Sequence, residues 1–333
     1  MNGKVDKPMI ELCNISKRFI KKLDIVAKMV SKLGFSISEE VVHALDNINL
    51  KVYKGEVVGI AGESGCGKST LGRIVAGVLE PSEGKIFYNG HDLKSLDQNE
   101  SKRVAIQIQM IFQDPFSSLN PRMKVREIIG EAPIVHGIIK STELDQYLNN
   151  LMPICGLKPS YKNRYPHQFS GGQRQRIAIA RSLAVNPEFI VCDEVVSALD
   201  VSIQAQILNM FMEHRRKFGF ASLFISHDLS VIEHVSDRVI IMYLGRIVEE
   251  ATTENLFKRP LHPYTQALFD EIPSFKKRHI NFSPIKGEVP SPFLPPSGCH
   301  FHPRCSKKME ICRKEEPKTI IVDTDRLVKC HLF

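Results

Sequence analysis

The run Gly62-Glu63-Ser64-Gly65-Cys66-Gly67-Lys68-Ser69, with Thr70 behind it, satisfies the pattern G-x-x-x-x-G-K-S/T. No other feature constrains the fold as strongly. The pattern works only where a strand enters a glycine-rich turn and a helix leaves it. Backbone N–H groups can then curl around phosphate oxygens while the helix N-terminus adds a favourable dipole. Val57-Val58-Gly59-Ile60-Ala61 reads as a short buried strand, and Leu71, Ile74 and Val75 carry helical spacing behind the turn. The chemistry assigns Lys68 to the β- and γ-phosphates and Ser69 to Mg²⁺. At glycine frequencies of about 7%, a chance match in a chain this long is roughly a one-in-a-hundred event. The strand-turn-helix context weighs further against a turn that merely caps a helix.

Around this motif the pattern alternates between strand and helix. Ile10 and Leu12, then Ile48, Leu50 and Val52, alternate with polar residues as half-buried strands do, and Ile86-Phe87-Tyr88 before Asn89-Gly90 adds an antiparallel strand. Leu23, Val26, Val30 and Leu33 give the segment between Phe19 and Val42 helical spacing. Helical character dominates from about Val125 to Ala184, interrupted at Tyr165-Pro166-His167. Phe189 to Cys192 and Ser222 to Ser226 return to strand. Apolar strands separated by helices predict a parallel sheet covered on both faces, with ligands at the strand carboxyl ends. Gly245 marks a hairpin turn, and Pro284, Pro290, Pro292, Pro295 and Pro296 suggest an extended linker to a small terminal module.

The 333 residues allow one or two domains. With 43% hydrophobic and 25% charged residues the chain is an ordinary globular one. It has no apolar run of the ~20 residues a spanning helix needs, and Met1 to Ile10 lack the apolar core of a signal peptide. A membrane role is therefore expected through partners. The net charge of +8 is spread along the chain, which suits a solvated surface better than a nucleic-acid or lipid footprint. Of eight cysteines, Cys299, Cys305, Cys312 and Cys330 crowd near the end as C-x5-C-x6-C-x17-C. In the reducing compartment expected of a chain without a secretion signal, a metal site explains that cluster better than disulfides.

The run Phe169-Ser170-Gly171-Gly172-Gln173-Arg174-Gln175-Arg176 resembles the signature of ABC ATPases, with Phe169 where Leu is usual. Locally, Ser170 and Gln173 also form a capping box for the helix that follows, which leaves the two glycines unexplained. The resemblance implies that Ser170, Gly171, Gly172 and Gln173 act in trans, on the γ-phosphate bound by a second subunit. It further implies that Asp193, at the end of an apolar strand, holds Mg²⁺ through water and that Glu194 is the general base. By the same resemblance Gln113, in Ile111-Phe112-Gln113-Asp114-Pro115, would approach Mg²⁺ and sense membrane subunits, and His227 would touch the γ-phosphate. Asp200, in Ser197-Ala198-Leu199-Asp200, belongs to a dimer-contact loop. Val195 stands where the family usually has proline, which questions the stiffness of the turn after Glu194. For adenine stacking the candidate is Phe19, with His43 as the other choice.

Leu261-His262-Pro263-Tyr264-Thr265-Gln266-Ala267-Leu268, Gly287-Glu288, Pro290-Ser291-Pro292, Pro295-Pro296-Ser297-Gly298-Cys299 and Phe301-His302-Pro303-Arg304-Cys305 resemble the tail of oligopeptide and dipeptide importer ATPases. In that subfamily the four late cysteines are associated with a 4Fe-4S cluster, which is the expectation here; Zn²⁺, for which no tight C-x2-C pair speaks, and free thiols are the less favoured readings.

The expectation is an α/β fold: a P-loop NTPase (ABC ATPase) core with an antiparallel β subdomain, a helical subdomain at about 115–185 and a small Cys-containing C-terminal extension. The nucleotide-binding domain is expected at 1–260 and the extension at 261–333. The expected function is ATP- and Mg²⁺-dependent energising of a peptide importer at the cytoplasmic face of the cell membrane. Its implied partners are a second ABC ATPase, identical or homologous, two transmembrane permease subunits and, indirectly, a solute-binding protein. A soluble ATPase acting on nucleic acid or ribosomes is the alternative, although tandem cassettes and coiled-coil inserts are not visible. A subunit that binds ATP without hydrolysing it is disfavoured by Glu194 and His227.

Overall fold

The computed structural model describes residues 7–21, 40–197, 199–270, 287–323 and 325–333. Strand β1 (Ile10–Lys21) pairs antiparallel with β2 (Glu40–Val52), burying Ile10, Leu12, Ile48, Leu50 and Val52 as their alternation predicts. Both strands run further than expected, since Phe19 pairs with Val42 and Ile20 with Val41. The positions with helical spacing, Leu23, Val26, Val30 and Leu33, lie outside the described residues. Next come β3 (Val57–Ala61), the phosphate turn and helix α1 (Lys68–Val75). Strands β4 (Glu83–Tyr88) and β5 (His91–Asp92) complete a four-stranded sheet in the order β2-β1-β4-β5.

The middle of the chain is helical. Helix α2 (Gln98–Gln107) opens with a capping box between Asp97 and Glu100 and leads into β6 (Ile108–Ile111). Helices α3 (Pro115–Ser118), α4 (Val125–Val135), α5 (Leu144–Ile154) and α6 (Gly171–Leu183) follow, and Pro166–Gln168 forms a tight turn before α6. Strand β7 (Phe189–Asp193), α7 (Val201–Phe218), β8 (Ala221–Ile225), α8 (Leu229–Val235) and β9 (Arg238–Tyr243) bring the chain back to the sheet. Gly245, in the left-handed region, turns it into β10 (Arg246–Thr252).

Side chains alternate between the faces of a strand, and the buried strands use both faces. Val57, Ala61, Ile190, Cys192 and Phe224 join one apolar cluster, whereas Val58, Ile60, Phe189, Val191, Leu223 and Ile225 join the other. Such burial on both faces marks a parallel sheet sandwiched between layers. The strands β6, β7, β8, β3 and β9 are parallel neighbours, as expected, and α1 lies against β7 and β8.

The end of the chain extends this sheet. Past α9 (Thr253–Lys258), α10 (Pro263–Asp270) and α11 (Ile311–Lys314), β11 (Thr319–Asp323) and β12 (Arg326–Lys329) form a hairpin whose β12 pairs antiparallel with β10. The eight strands thus run β11-β12-β10-β9-β3-β8-β7-β6. The seam is tied by Arg326 and Glu249, whose side chains are 4% and 0% exposed. The Glu249 carboxylate also accepts from the Leu261 and His262 backbone N–H groups, which satisfies a charge that burial alone would make costly. No helix among the described residues is long and apolar enough to cross a membrane.

Candidate nucleotide site

The phosphate turn sits at the carboxyl end of β3, with Gly67 in the left-handed region (φ 105°) as N-cap of α1. A Cβ on Gly67 would stand 2.4 Å from the Ala44 carbonyl oxygen, so only glycine lets β2 pass this close beneath the turn. Lys68 is 5% exposed, and its ammonium donates to the carbonyls of Gly62 (2.7 Å) and Glu63 (2.9 Å). The cation is thus held on the turn whose phosphates it would neutralise. Burial raises the Cys66 thiol pKa, although Lys68 nearby opposes this, so the thiol stays protonated and inert.

Strand β7 delivers the two carboxylates. Ser69 Oγ donates to Asp193 Oδ1 at 2.8 Å, bringing two hard oxygen donors together beside Lys68, a donor set that suits Mg²⁺. Burial raises the Asp193 carboxyl above its ordinary value and outweighs the opposing Ser69 bond. Glu194 adopts φ 48°, a conformation that costs a non-glycine residue strain and recurs at functional sites. Three hydrogen bonds keep it there: its N–H donates to Ile225 O, and its carbonyl accepts from the N–H and the hydroxyl of Ser197. Val195 and Val196, within that turn, are buried in the core, so the turn is anchored by packing and hydrogen bonds without the usual proline. Gln113 Nε2, beyond β6, donates to Glu194 Oε2 at 2.7 Å, and His227 Nδ1, beyond β8, lies 3.5 Å from the same oxygen. Three strand ends thus converge on one carboxylate.

At the start of α6, Ser170 and Gln173 form the expected reciprocal cap. A Cβ on Gly172 would stand 2.8 Å from Ile203 Cγ2, so the second signature glycine also lets α6 approach α7 closely. Gly171 has no such contact, its nearest neighbour being Leu199 at 3.9 Å. Asp200 occupies the N-cap position of α7 without capping it, which leaves its carboxylate uncommitted to the helix. Phe19 is 41% exposed, with the Lys17 ammonium 5.2 Å from its ring centroid, and His43 lies across the hairpin opposite Arg18. Both adenine candidates therefore sit on the strand pair that runs on to Ala44 under the phosphate turn. A cavity of about 720 Å³ lies elsewhere, between α1 and α2. At the tip of the phosphate turn Ser64 and Gly65 are exposed, whereas Gly62, Cys66 and Lys68 are buried.

Residues 45–197 match the family profile described as ABC transporter, and residues 248–312 match the oligopeptide/dipeptide transporter C-terminal region. The chain is 48% identical to the oligopeptide transport ATP-binding protein AppF of Bacillus subtilis, covering 88% of this chain and 90% of that protein. The chain belongs to the ABC transporter ATP-binding subunits. It is also 41% identical to the dipeptide transport ATP-binding protein DppF of Escherichia coli, over 91% of each chain. Among solved structures it resembles the dimeric, ADP- and Pi-bound ATP-binding cassette MJ0796, with a TM-score of 0.62, 28% identity, 74% of this chain and 99% of that one covered. An ABC subunit with these relatives is an ATPase coupled to transport, and the alternative of an ATPase acting on nucleic acid or ribosomes gains no support.

At Cys299, Cys305, Cys312 and Cys330 the expected 4Fe-4S cluster gains no support from the structure. All four are free thiols in one neighbourhood, yet no group of three or more His, Cys, Asp or Glu among the described residues is assembled as a metal site. Burial, and then the proximity of Cys312, Cys330 and Cys305, pushes the Cys299 thiol up to about 11. Sequence reasoning also missed two residues that this ABC subunit brings to its phosphate turn from the tail. Tyr264 OH accepts from the Glu63 N–H at 2.8 Å, and Arg304 grips the Glu63 carboxylate. Both lie in tail motifs that carried the resemblance, but nothing in their spacing reveals a contact about two hundred residues away.

Proposed function

We propose that this chain energises import of oligopeptides or dipeptides, hydrolysing ATP at a site it completes only with the signature helix of a second ABC subunit. The convergence of Gln113 and His227 on Glu194, beside the Ser69–Asp193 pair, carries the reading. A triphosphate on the glycine turn would be bound by the turn's N–H groups, residues Gly62 to Thr70, and by Lys68. Mg²⁺, when bound, would neutralise developing charge, with Ser69, Asp193 and Gln113 as its holders. Glu194 orients and deprotonates the attacking water, His227 contacts the γ-phosphate, and Gln113 reports the state of the permease. Catalysis is thus positioning and charge stabilisation, without a covalent intermediate.

The dimeric relative supports closure in trans by Ser170, Gly171, Gly172 and Gln173, with Asp200 at the seam. The relatives' names and the matched C-terminal region support peptides as cargo, two permeases and a solute-binding protein as partners, and the cytoplasmic membrane face as the place of work. Residues 1–260 act as the nucleotide-binding domain, with the helical subdomain at about 115–185, and 261–333 as the extension. The four thiols of that extension are the donors a 4Fe-4S cluster would use. Iron and acid-labile sulfide assays on anaerobically purified protein decide this, and metal-free, fully titratable thiols end the idea.

Glu194→Gln retains the shape of the carboxylate but not its basicity. It is expected to keep MgATP binding while turnover falls roughly 10²–10⁴-fold. Parental steady-state hydrolysis in the purified variant would refute the assignment.

A further inference from the structure

We propose that Arg304, from the C-terminal extension, is a positioning residue for nucleotide binding. It neutralises Glu63 and holds the phosphate turn in shape. Glu63 is the second residue of that turn, and its carboxylate is a like charge to the phosphates the turn is built to hold. The structure disposes of that charge in a specific way. Arg304 Nη1 donates to Glu63 Oε2 at 2.7 Å and Nη2 to Oε1 at 3.0 Å, a bidentate fork in which the side chains are 6% and 21% exposed. Shielded, fork-on-carboxylate pairs of this kind are the strong ones, and lysine cannot reproduce them.

The rest of Glu63 is held as well. Its N–H donates to Tyr264 OH, and its carbonyl accepts from Lys68 Nζ. Tyr243 links the two tail residues, with its ring packed on Tyr264 and Phe301 and its hydroxyl 3.5 Å from Arg304 Nη1. Arg304 itself sits between Phe301, which is 2% exposed, and Cys305. The guanidinium can reach Glu63 only while the extension is packed on the body. The extension is therefore a working wall of the nucleotide site, in addition to the elements that identify the family.

This inference rests on the ATPase reading, and its test separates the two. In full-length Glu194→Gln protein, the MgATP dissociation constant is measured by calorimetry for the parent, for Arg304→Gln, for Glu63→Gln and for the double variant, with melting temperatures alongside. Removing Arg304 alone strands the Glu63 carboxylate near the phosphates, and affinity is expected to drop about fivefold or more, the lower end of typical coupling between sites. In the Glu63→Gln background the same substitution should cost little, giving a non-additive cycle. An unchanged dissociation constant in Arg304→Gln overturns the proposal, as does an equal loss in both backgrounds, which would mark a purely structural role. Should Arg304→Gln fail to fold, Arg304→Lys keeps the charge without the fork. A measurable loss with Arg304→Lys supports the proposal and parental affinity overturns it. A parent that binds no MgATP overturns the ATPase reading and this inference with it, whereas parental binding that Arg304→Gln leaves unaltered overturns this inference alone.

Discussion

Single residues at this site are under opposing demands. Asp193 is buried to sit beside Ser69, and burial raises its carboxyl pKa. The folded chain therefore binds that proton more tightly than the unfolded chain. The stabilising contribution is full below the unfolded pKa and is lost as pH rises through the folded value. At neutral pH the buried charge is therefore a liability to folding stability. Asp193→Asn, with the same shape and no charge, is expected to raise the melting temperature at pH 7 and to abolish the Mg²⁺ requirement for tight ATP binding. Thermal scans with and without MgATP read both, and a lower melting temperature would show that Asp193 is stabilising as an anion. Gly67 is constrained differently, since alanine there meets both a left-handed φ and the Ala44 carbonyl. Gly67→Ala should cost about 3 kcal/mol or more in denaturant unfolding, through strain combined with a backbone clash.

At the scale of elements, the extension is bound to the body through β10 and β12, and the buried Arg326–Glu249 pair lies at that seam. Removing one partner of a buried pair leaves an uncompensated charge, so Arg326→Met should destabilise the chain by about 3–5 kcal/mol. Urea unfolding measures this. A change within about 0.5 kcal/mol, typical of surface sites, would mean that the seam is not load-sharing. Elements with a strong local pattern were legible in the sequence: β3 and α1 from the phosphate motif, α6 from its capping box, β7 and β8 from apolar runs. Others were not. β6 is four residues long, too short to show a period, and β12 joins the main sheet by pairing with β10, a partner some eighty residues earlier. The helical spacing at Leu23 to Leu33 cannot be compared, although the strands flanking it run closer to it than expected.

For the molecule as a whole, the likeness to a dimeric ATP-binding cassette points to assembly. With hydrolysis blocked by Glu194→Gln, MgATP should drive pairing with itself or with a homologous ABC subunit, doubling the mass seen by light scattering; persistent monomers with every candidate partner would sink the sandwich. The sequence by itself determined the chemistry of the site. Phosphate loops, signature runs and strand-end carboxylates are local arrangements, and their residue types and spacing already encode which backbone groups and charges face the ligand. Tertiary structure alone decided what lies around that chemistry. It brought Gln113 and His227 onto Glu194, anchored the turn at Val195 without proline, gathered the four late thiols in one neighbourhood, and set Arg304 on Glu63. Those contacts join positions far apart in the chain, and their energies depend on burial and mutual geometry, which no local pattern records.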